Sequence, residues 1–84
     1  MTYAVDILRT AQKQLAKLDR QAQVRIIDSV NKLAFDPRPA SCKKLSGRPA
    51  WRIRVGSYRV IYEIHDGKLL VIVVSIGDRK NIYR

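Results

Sequence analysis

The sequence predicts an α+β fold in which an N-terminal strand and an antiparallel helical hairpin precede a three-stranded antiparallel meander, all strands forming one sheet. Three observations predict it: strand-like alternation at the N-terminus, two adjacent helical apolar stripes, and three consecutive strand-like segments in the second half. The helices are expected on one face of the sheet, because their combined apolar side has nothing else to cover it. Residues 1–84 are expected to form a single domain, since a chain this short supports only one core.

The first strand is predicted from apolar residues at every second position. Tyr3, Val5 and Ile7 alternate with small or polar residues, as in a strand with one buried face. Thr10 is predicted to cap the first helix, whose apolar stripe ends near Leu18.

The second helix is predicted to begin after Asp19, a residue type that favours the N-cap position. Its apolar side runs from Ala22 to Ala34, and Asp36-Pro37 is predicted to end it, because the residue before proline avoids helical geometry. The short link between the two stripes predicts a helical hairpin.

The second half of the chain is predicted to be a loop followed by a meander. Residues 37–45 are expected to form a loop and residues 46–49 a turn. Alternation over 51–55, then Gly56-Ser57 and a further apolar segment from Tyr58, predicts a hairpin. Asp66-Gly67 is predicted to form a primed turn into a mostly apolar central strand.

Composition predicts a polyanionic partner. The chain has 17 Lys and Arg against 7 Asp and Glu, a formal net charge of +10. Charge alone leaves RNA, DNA and an acidic protein open as that partner. A single cysteine, Cys42, favours a reducing compartment, and the longest apolar run, Leu69 to Val74, is too short for a membrane span. We therefore expect a cytoplasmic protein with no membrane, metal or cofactor site.

Basic residues are concentrated between Pro37 and Tyr62, a segment without any Asp or Glu. They are Arg38, Lys43, Lys44, Arg48, Arg52, Arg54 and Arg59. A two-residue turn at Gly56-Ser57 would set Arg54 opposite Arg59, with Arg52 on the same face. Facing like charges are destabilising by roughly 0.2–1 kcal/mol, which suggests an absent anion, and arginine matches phosphate well. The alternative is the solvated face of an edge hairpin.

Three further residues lie outside this basic segment. Arg79 and Tyr83 follow the last predicted strand and are expected to fold back beside the arginines, adding a cation and a ring that stacks on a base. His65 lies at the Asp-Gly turn and is expected to point away from the arginine face, as an ordinary turn histidine.

Several segments together resemble a known family. They are Tyr3-Ala4-Val5, Lys44-Leu45-Ser46-Gly47, the run from Trp51 to Tyr62, and Ile76-Gly77-Asp78-Arg79-Lys80-Asn81-Ile82-Tyr83. In this order they resemble RelE-type toxins of the RelE/ParE superfamily, from type II toxin-antitoxin systems. The resemblance implies a RelE-like fold.

The resemblance also implies an activity and partners. The expected activity is that of an endoribonuclease, an mRNA interferase that inhibits translation by cleaving mRNA in the ribosomal A site. The expected partners are ribosome, mRNA and an antitoxin from an adjacent gene, with operator DNA reached only through the antitoxin complex. A ParE-like, non-catalytic inhibitor of DNA gyrase is the alternative, because one fold serves both activities. A third hypothesis is that the chain is an inactive, purely regulatory member of the superfamily.

Carried over by position, the resemblance implies a catalytic set of Arg52, Arg54, Arg59, Arg79 and Tyr83. Arg52 and Arg54 stand where the best-known relatives have lysines, and arginine cannot act as a general base. Proton removal is therefore left open among Tyr83, water and the ribosome. Additional RNA-binding residues are predicted at Lys43, Lys44, Arg48 and Lys80.

Overall fold

The computed structural model describes residues 2–78, which form two helices on one face of a five-stranded sheet. The elements are β1 (Ala4–Ile7), α1 (Arg9–Ala16), α2 (Arg20–Lys32), β2 (Lys43–Lys44), β3 (Trp51–Val55), β4 (Tyr58–His65) and β5 (Leu70–Asp78). A 3₁₀ turn, Asp66–Lys68, joins β4 to β5. The predicted α+β class, with both helices against the sheet, is confirmed.

The sheet has the order β1-β5-β4-β3-β2 and is mixed. β1 runs parallel to β5, and all other neighbours are antiparallel. The alternation in the sequence has the same period for both strand orientations and could not distinguish them. β2 was predicted as loop, since two paired residues are too few for a periodic pattern.

The core lies between the helices and the adjacent face of the sheet, which we call the inner face. Its largest fully buried side chains are Tyr62, Ile26, Leu33, Ile76, Val30, Val60, Val71 and Val73. Burial of side chains of this size is the main favourable contribution to folding. The opposite side of the sheet, the outer face, therefore receives the residues that alternate with the core.

A β-bulge keeps the inner face of β5 continuous. Ile61 pairs with Ser75 whereas Tyr62 pairs with Val73, so Val74 is an extra residue on β5. The shift allows both Val73 and Ile76 to be buried, although three positions separate them. Beyond the end of β1, Oε1 of Gln14 accepts a hydrogen bond from the backbone N–H of Ile76 (2.8 Å).

Helix α1 begins before the predicted cap. Leu8 is the N-cap residue and offers no side-chain hydrogen bond, and Thr10 lies within the first turn. The backbone N–H of Leu8 donates to the carbonyl of Val73 (2.9 Å), while the Leu8 carbonyl accepts from the N–H of Gln12 (2.9 Å). The helix therefore starts where strand pairing ends, a tertiary feature that Thr10 could not reveal.

Helix α2 begins as predicted. The backbone N–H of Ala22 donates to Oδ1 of Asp19 (2.7 Å), which confirms Asp19 as the N-cap. The helix ends at Lys32 rather than at Asp36-Pro37, because the next backbone N–H groups donate to carbonyls three residues back. The hydroxyl of buried Tyr62 then donates to the carbonyl of Pro37 (2.8 Å) and holds this loop against the sheet.

The two predicted hairpin turns had different outcomes. Val55 pairs with Tyr58 and Gly56 has a φ of 62°, which confirms the two-residue turn at Gly56-Ser57. The primed turn at Asp66-Gly67 is wrong: a four-residue connection separates the paired residues His65 and Leu70. The left-handed residue is Leu69, with a φ of 49°, and not Gly67.

The Asp66 carboxylate holds this connection in place. Arg38 donates to both of its oxygens (3.2 and 2.9 Å), and the Tyr3 hydroxyl donates to Oδ1 (2.6 Å). The Arg38 guanidinium also lies 5.0 Å from the centre of the Trp51 ring. These contacts tie the turn to the N-terminus and to the loop after α2. The bonds from Arg38 and then Tyr3 lower the pKa of Asp66 to about 2.

Replacing the α2 cap should measurably destabilise the fold. We expect Asp19→Ala to lower the free energy of unfolding by about 1 kcal/mol, because the N–H of Ala22 loses its acceptor. Urea denaturation would measure the change. Asp28→Ala is the matched control, because it removes only an exposed ion pair with Lys32 and should cost less than about 0.5 kcal/mol. Equal losses in both variants would contradict the capping role.

The stabilising effect of Asp66 should disappear in acid. Its pKa is lower in the folded protein than the value of about 3.9 in an unfolded chain. The contribution is therefore complete above about pH 4 and is lost as pH falls toward about 2. We expect the melting temperatures of the wild type and Asp66→Asn to converge over that window. A constant difference would show that Asp66 ionisation does not contribute.

Candidate nucleic-acid interface

The three central arginines lie together on the outer face of the sheet. Arg54 pairs directly with Arg59, and Arg52, two residues from Arg54, pairs with Ile61. Residues that pair across antiparallel strands project from the same face, with Cβ atoms about 5 Å apart. The register predicted from the Gly56-Ser57 turn is therefore confirmed, and the three guanidinium groups share one surface.

Lys43 extends this surface onto β2. It pairs with Arg52, and the backbone pairing of β2 with β3 brings both onto the outer face. We call Lys43, Arg52, Arg54 and Arg59 the outer cationic cluster. Its four members come from three neighbouring strands, so the sheet and not a flexible loop sets their spacing.

Arg52 differs from its neighbours in being buried. It is only 7% exposed, whereas Arg54 is exposed and Arg59 is half-buried with its Nε atom inaccessible. Within residues 2–78, no Asp or Glu side chain forms an ion pair with Arg52. Burying a cation without a carboxylate partner lowers the stability of the fold. Such an arrangement is expected where an external anion binds.

Ile61 forms an apolar floor beside Arg52. It is 3% exposed and lies outside the main core, on the outer face between the paired positions of Arg52 and Ser75. Ile61 was not among the predicted site residues, although the predicted register already set it opposite Arg52. Apolar surroundings lower the local dielectric and strengthen any contact between Arg52 and an anion.

Glu63 and His65 lie farther along β4 on the same face. Nε2 of His65 is 3.0 Å from Oε1 of Glu63, and both residues follow Arg59 on β4 at alternate positions. The expectation that His65 points away from the arginine face is wrong, because β4 alternates regularly as far as His65. At about 3.3 Å per residue, Glu63 and His65 are nevertheless about 13 and 20 Å from Arg59 along the strand.

The remaining predicted RNA-binding residues do not all lie on the outer face. Lys44 pairs with Trp51 and so faces away from the outer cationic cluster; its Nζ lies 5.9 Å from the Trp51 ring centre. Arg48 is exposed in the turn between β2 and β3, and its carbonyl accepts a hydrogen bond from Lys44 Nζ (3.4 Å). The predicted site residues Arg79, Lys80 and Tyr83 lie outside the described residues.

Within residues 2–78, no three His, Cys, Asp or Glu side chains are grouped closely enough to hold a metal ion. None of the helices in this range combines the length and apolarity that a bilayer crossing requires.

Comparison with known proteins identifies the class to which this fold belongs. A family model described as the ParE toxin of the type II toxin-antitoxin system parDE matches residues 5–83. The chain therefore belongs to this family, and it is a toxin of a type II toxin-antitoxin system. The resemblance to the RelE/ParE superfamily is confirmed.

Individual relatives carry RelE names. The mRNA interferase toxin RelE of Escherichia coli K12 is 29% identical over 83 residues, covering 95% of this chain and 86% of the relative. A RelE chain from the Pyrococcus horikoshii RelE-RelB complex superposes with a TM-score of 0.85 at 28% identity, covering 96% and 99% of the two chains. The E. coli RelBE complex gives 0.80 at 29% identity, covering 90% and 95%.

Burial of Arg52 leads to a stability prediction. We expect Arg52→Met to raise the free energy of unfolding by about 1 kcal/mol, because an apolar side chain of similar length avoids burying the charge. Arg54→Met, two residues away on the same face but exposed, should change stability by less than about 0.5 kcal/mol. Urea denaturation of both variants would measure this. Destabilisation specific to Arg52→Met would show that the guanidinium supports the fold.

Proposed function

We propose that this toxin is a ribosome-dependent endoribonuclease that cleaves mRNA in the A site and so inhibits translation. The observation that carries the proposal is the outer cationic cluster, in which buried Arg52 lies beside the facing pair Arg54 and Arg59. The name of the E. coli relative, an mRNA interferase, supports the same activity. The cluster suits a phosphate group, whose oxygens accept the parallel hydrogen bonds that guanidinium groups donate.

In this proposal the reaction is an attack of a ribose 2′-hydroxyl on the adjacent phosphate. The 2′-oxygen forms a bond to phosphorus, the bond to the 5′-oxygen breaks, and negative charge accumulates on the phosphate oxygens between these events. Arg52, Arg54 and Arg59 stabilise that charge from a rigid surface, which lowers the barrier without reorganisation. Arg79 is assigned to the leaving 5′-oxygen, and Tyr83 to orienting the base.

The proton of the 2′-hydroxyl needs an acceptor that the cluster does not supply. Arginine retains its proton at any relevant pH, so no arginine of the cluster can accept it. Tyr83, a water molecule or a group of the ribosome must therefore remove it. Lys43 lies on the face of the cluster, whereas Lys44 lies on the other face. Arg48 and Lys80 are proposed as further contacts to the RNA backbone.

A ParE-like inhibitor of DNA gyrase is the second candidate, and the description of the matching family model favours it. Such a protein needs a binding surface but no attack on phosphate. Expression would then produce gyrase-dependent DNA breaks while mRNA remained intact. Mapping mRNA ends and DNA breaks in the same culture separates the two functions.

We also propose a cognate antitoxin, encoded by an adjacent gene. Two of the solved relatives are RelE–RelB complexes. This chain exposes Val24 (58%), Ile27 and Phe35 (74%) along α2 and the turn after it. The chain as a whole has a formal net charge of +10. Those features suit an acidic, amphipathic segment that folds on binding.

Replacing Arg59 should reduce mRNA cleavage while the protein remains folded. We expect Arg59→Ala to reduce cleavage of A-site mRNA on programmed ribosomes by about 10²-fold or more, because one donor to the transition state is lost. Lys68→Ala, at an exposed cation in the β4–β5 connection, is the control and should cleave like the wild type. Primer extension on the purified reaction measures both rates.

Two results would contradict the proposed function. Intact A-site mRNA after incubation with wild-type protein would reject ribosome-dependent cleavage. Undiminished cleavage by Arg59→Ala, with circular dichroism showing an unchanged fold, would remove the cluster from the reaction.

A further inference from the structure

Two carboxylates occupy the outer face of the sheet, and one of them lies beside the outer cationic cluster. Glu63 on β4 and Asp6 on β1 pair with Ile72 from opposite sides. The chain has seven acidic residues in all. The other five occupy α2 and its cap, the connecting segments or the last position of β5, and they are Asp19, Asp28, Asp36, Asp66 and Asp78.

Glu63 is a diagonal neighbour of buried Arg52. Arg52 pairs with Ile61, and Glu63 follows Ile61 by two positions on the same face of β4. Diagonal neighbours on an antiparallel pair lie about 7–8 Å apart, within reach of long side chains. Ile61 is also midway between Arg59 and Glu63 along β4. A phosphate held over Arg52 therefore has cations on one side and the Glu63 carboxylate on the other.

Asp6 has no comparable position. It lies on β1, which is separated from β4 by β5, and each step between neighbouring strands is about 4.8 Å. The strand that carries Arg52 is one step farther away again. Glu63 is therefore the carboxylate of the outer face that a group bound to Arg52 can approach.

Only one carboxylate oxygen of Glu63 is engaged within residues 2–78. Nε2 of His65 lies 3.0 Å from Oε1 of Glu63, and no Lys or Arg of this range forms an ion pair with the carboxylate. The Glu63 side chain is 35% exposed, so water reaches Oε2. His65 thus restrains the carboxylate through one oxygen and leaves the other open to solvent.

The proposed cleavage needs a proton acceptor, and a carboxylate can supply one. Arginine keeps its proton, so the cations of the cluster stabilise charge without accepting a proton from the 2′-hydroxyl. Asp and Glu are ionised near neutral pH and are common general bases, acting directly or through one water molecule. The distance between the positions of Arg52 and Glu63 leaves room for the ribose and such a water.

We infer that Glu63 receives the 2′-hydroxyl proton through a water molecule during cleavage. This inference rests on the proposed function, because it concerns the same reaction at the same phosphate. The 2′-oxygen gives its proton to the water as its electron pair forms the bond to phosphorus, and the water gives a proton to Oε2 of Glu63. The bond from phosphorus to the 5′-oxygen breaks, and the leaving oxygen takes a proton from solvent. Glu63, neutral after this step, then releases its proton to solvent.

This role and a purely electrostatic role of Glu63 predict opposite effects on cleavage. A carboxylate on an RNA-binding face repels phosphate. If Glu63 contributed only its charge, its removal would improve binding and leave the chemical step intact. If Glu63 accepts the proton, its removal slows the chemical step although binding is not weakened. Separate measurement of kcat and KM therefore distinguishes the two roles.

The test compares three variants of the full chain on programmed ribosomes. Glu63→Gln removes the charge but keeps the size of the side chain and an oxygen that accepts from His65. Glu63→Asp keeps a carboxylate on a side chain one methylene shorter. Asp6→Asn is the matched control, because it removes one negative charge from the same face on the other side of Ile72. Circular dichroism and urea denaturation verify each fold, and primer extension gives kcat and KM.

We expect Glu63→Gln to lower kcat by about 10²- to 10⁴-fold, the usual contribution of a general base, with a KM equal to or below that of the wild type. Asp6→Asn should keep the kcat of the wild type. Glu63→Asp should cleave faster than Glu63→Gln, because a bridging water can span the extra distance.

Three results would overturn the inference. A wild-type kcat in Glu63→Gln would remove Glu63 from the proton transfer and leave the proposed nuclease function standing. Equal losses of kcat in Glu63→Gln and Asp6→Asn would show a general effect of surface charge. A loss in Glu63→Asp as large as that in Glu63→Gln would show that the carboxylate is not the acting group. If the wild type itself leaves A-site mRNA intact, the proposed function fails and the inference fails with it.

Discussion

The pairing register of β3 with β4 is the constraint on which both the core and the cationic face depend. The two-residue turn sets it, with Gly56 in a left-handed conformation that other residues adopt only with strain. Side chains in a strand alternate, so a slip by one residue would turn Ile53 and Val55 outward and bury Arg54. The same turn therefore positions apolar groups for folding and guanidinium groups for binding.

The outer face carries destabilising arrangements that the inner face offsets. Arg54 faces Arg59 across the strands, and Arg52 is buried without a carboxylate in the described part of the chain. These features oppose folding in a domain that has little surface to bury. The inner face compensates through the apolar core and the hydrogen bond from Tyr62 to Pro37.

Charge is distributed unevenly along the outer face, which restricts how a polyanion can bind. Cations occupy β2, β3 and the first part of β4, whereas Glu63 lies farther along β4 and Asp6 lies on β1 at the opposite edge. A phosphate backbone following the strands would meet the carboxylate of Glu63. Among residues 2–78, the charged outer-face residues on β2, β3 and the first part of β4 are cations, and a backbone crossing the strands there is the path consistent with the proposed cleavage site.

Local patterns in the sequence determined the elements, and tertiary pairing decided their limits. The Asp19 cap, the Gly56-Ser57 turn and the arginine register depend on neighbouring residues only, and they were predictable. The start of α1, the parallel alignment of β1, the β2 pairing and the turn at Asp66 depend on partners distant in sequence, such as Val73 and Arg38. Likewise, the sequence indicated three arginines on one face, but only the packed sheet decided that Arg52 is buried, Arg54 is exposed and Lys44 lies on the opposite side. Burial depends on what covers a residue in three dimensions, and no local pattern carries that information.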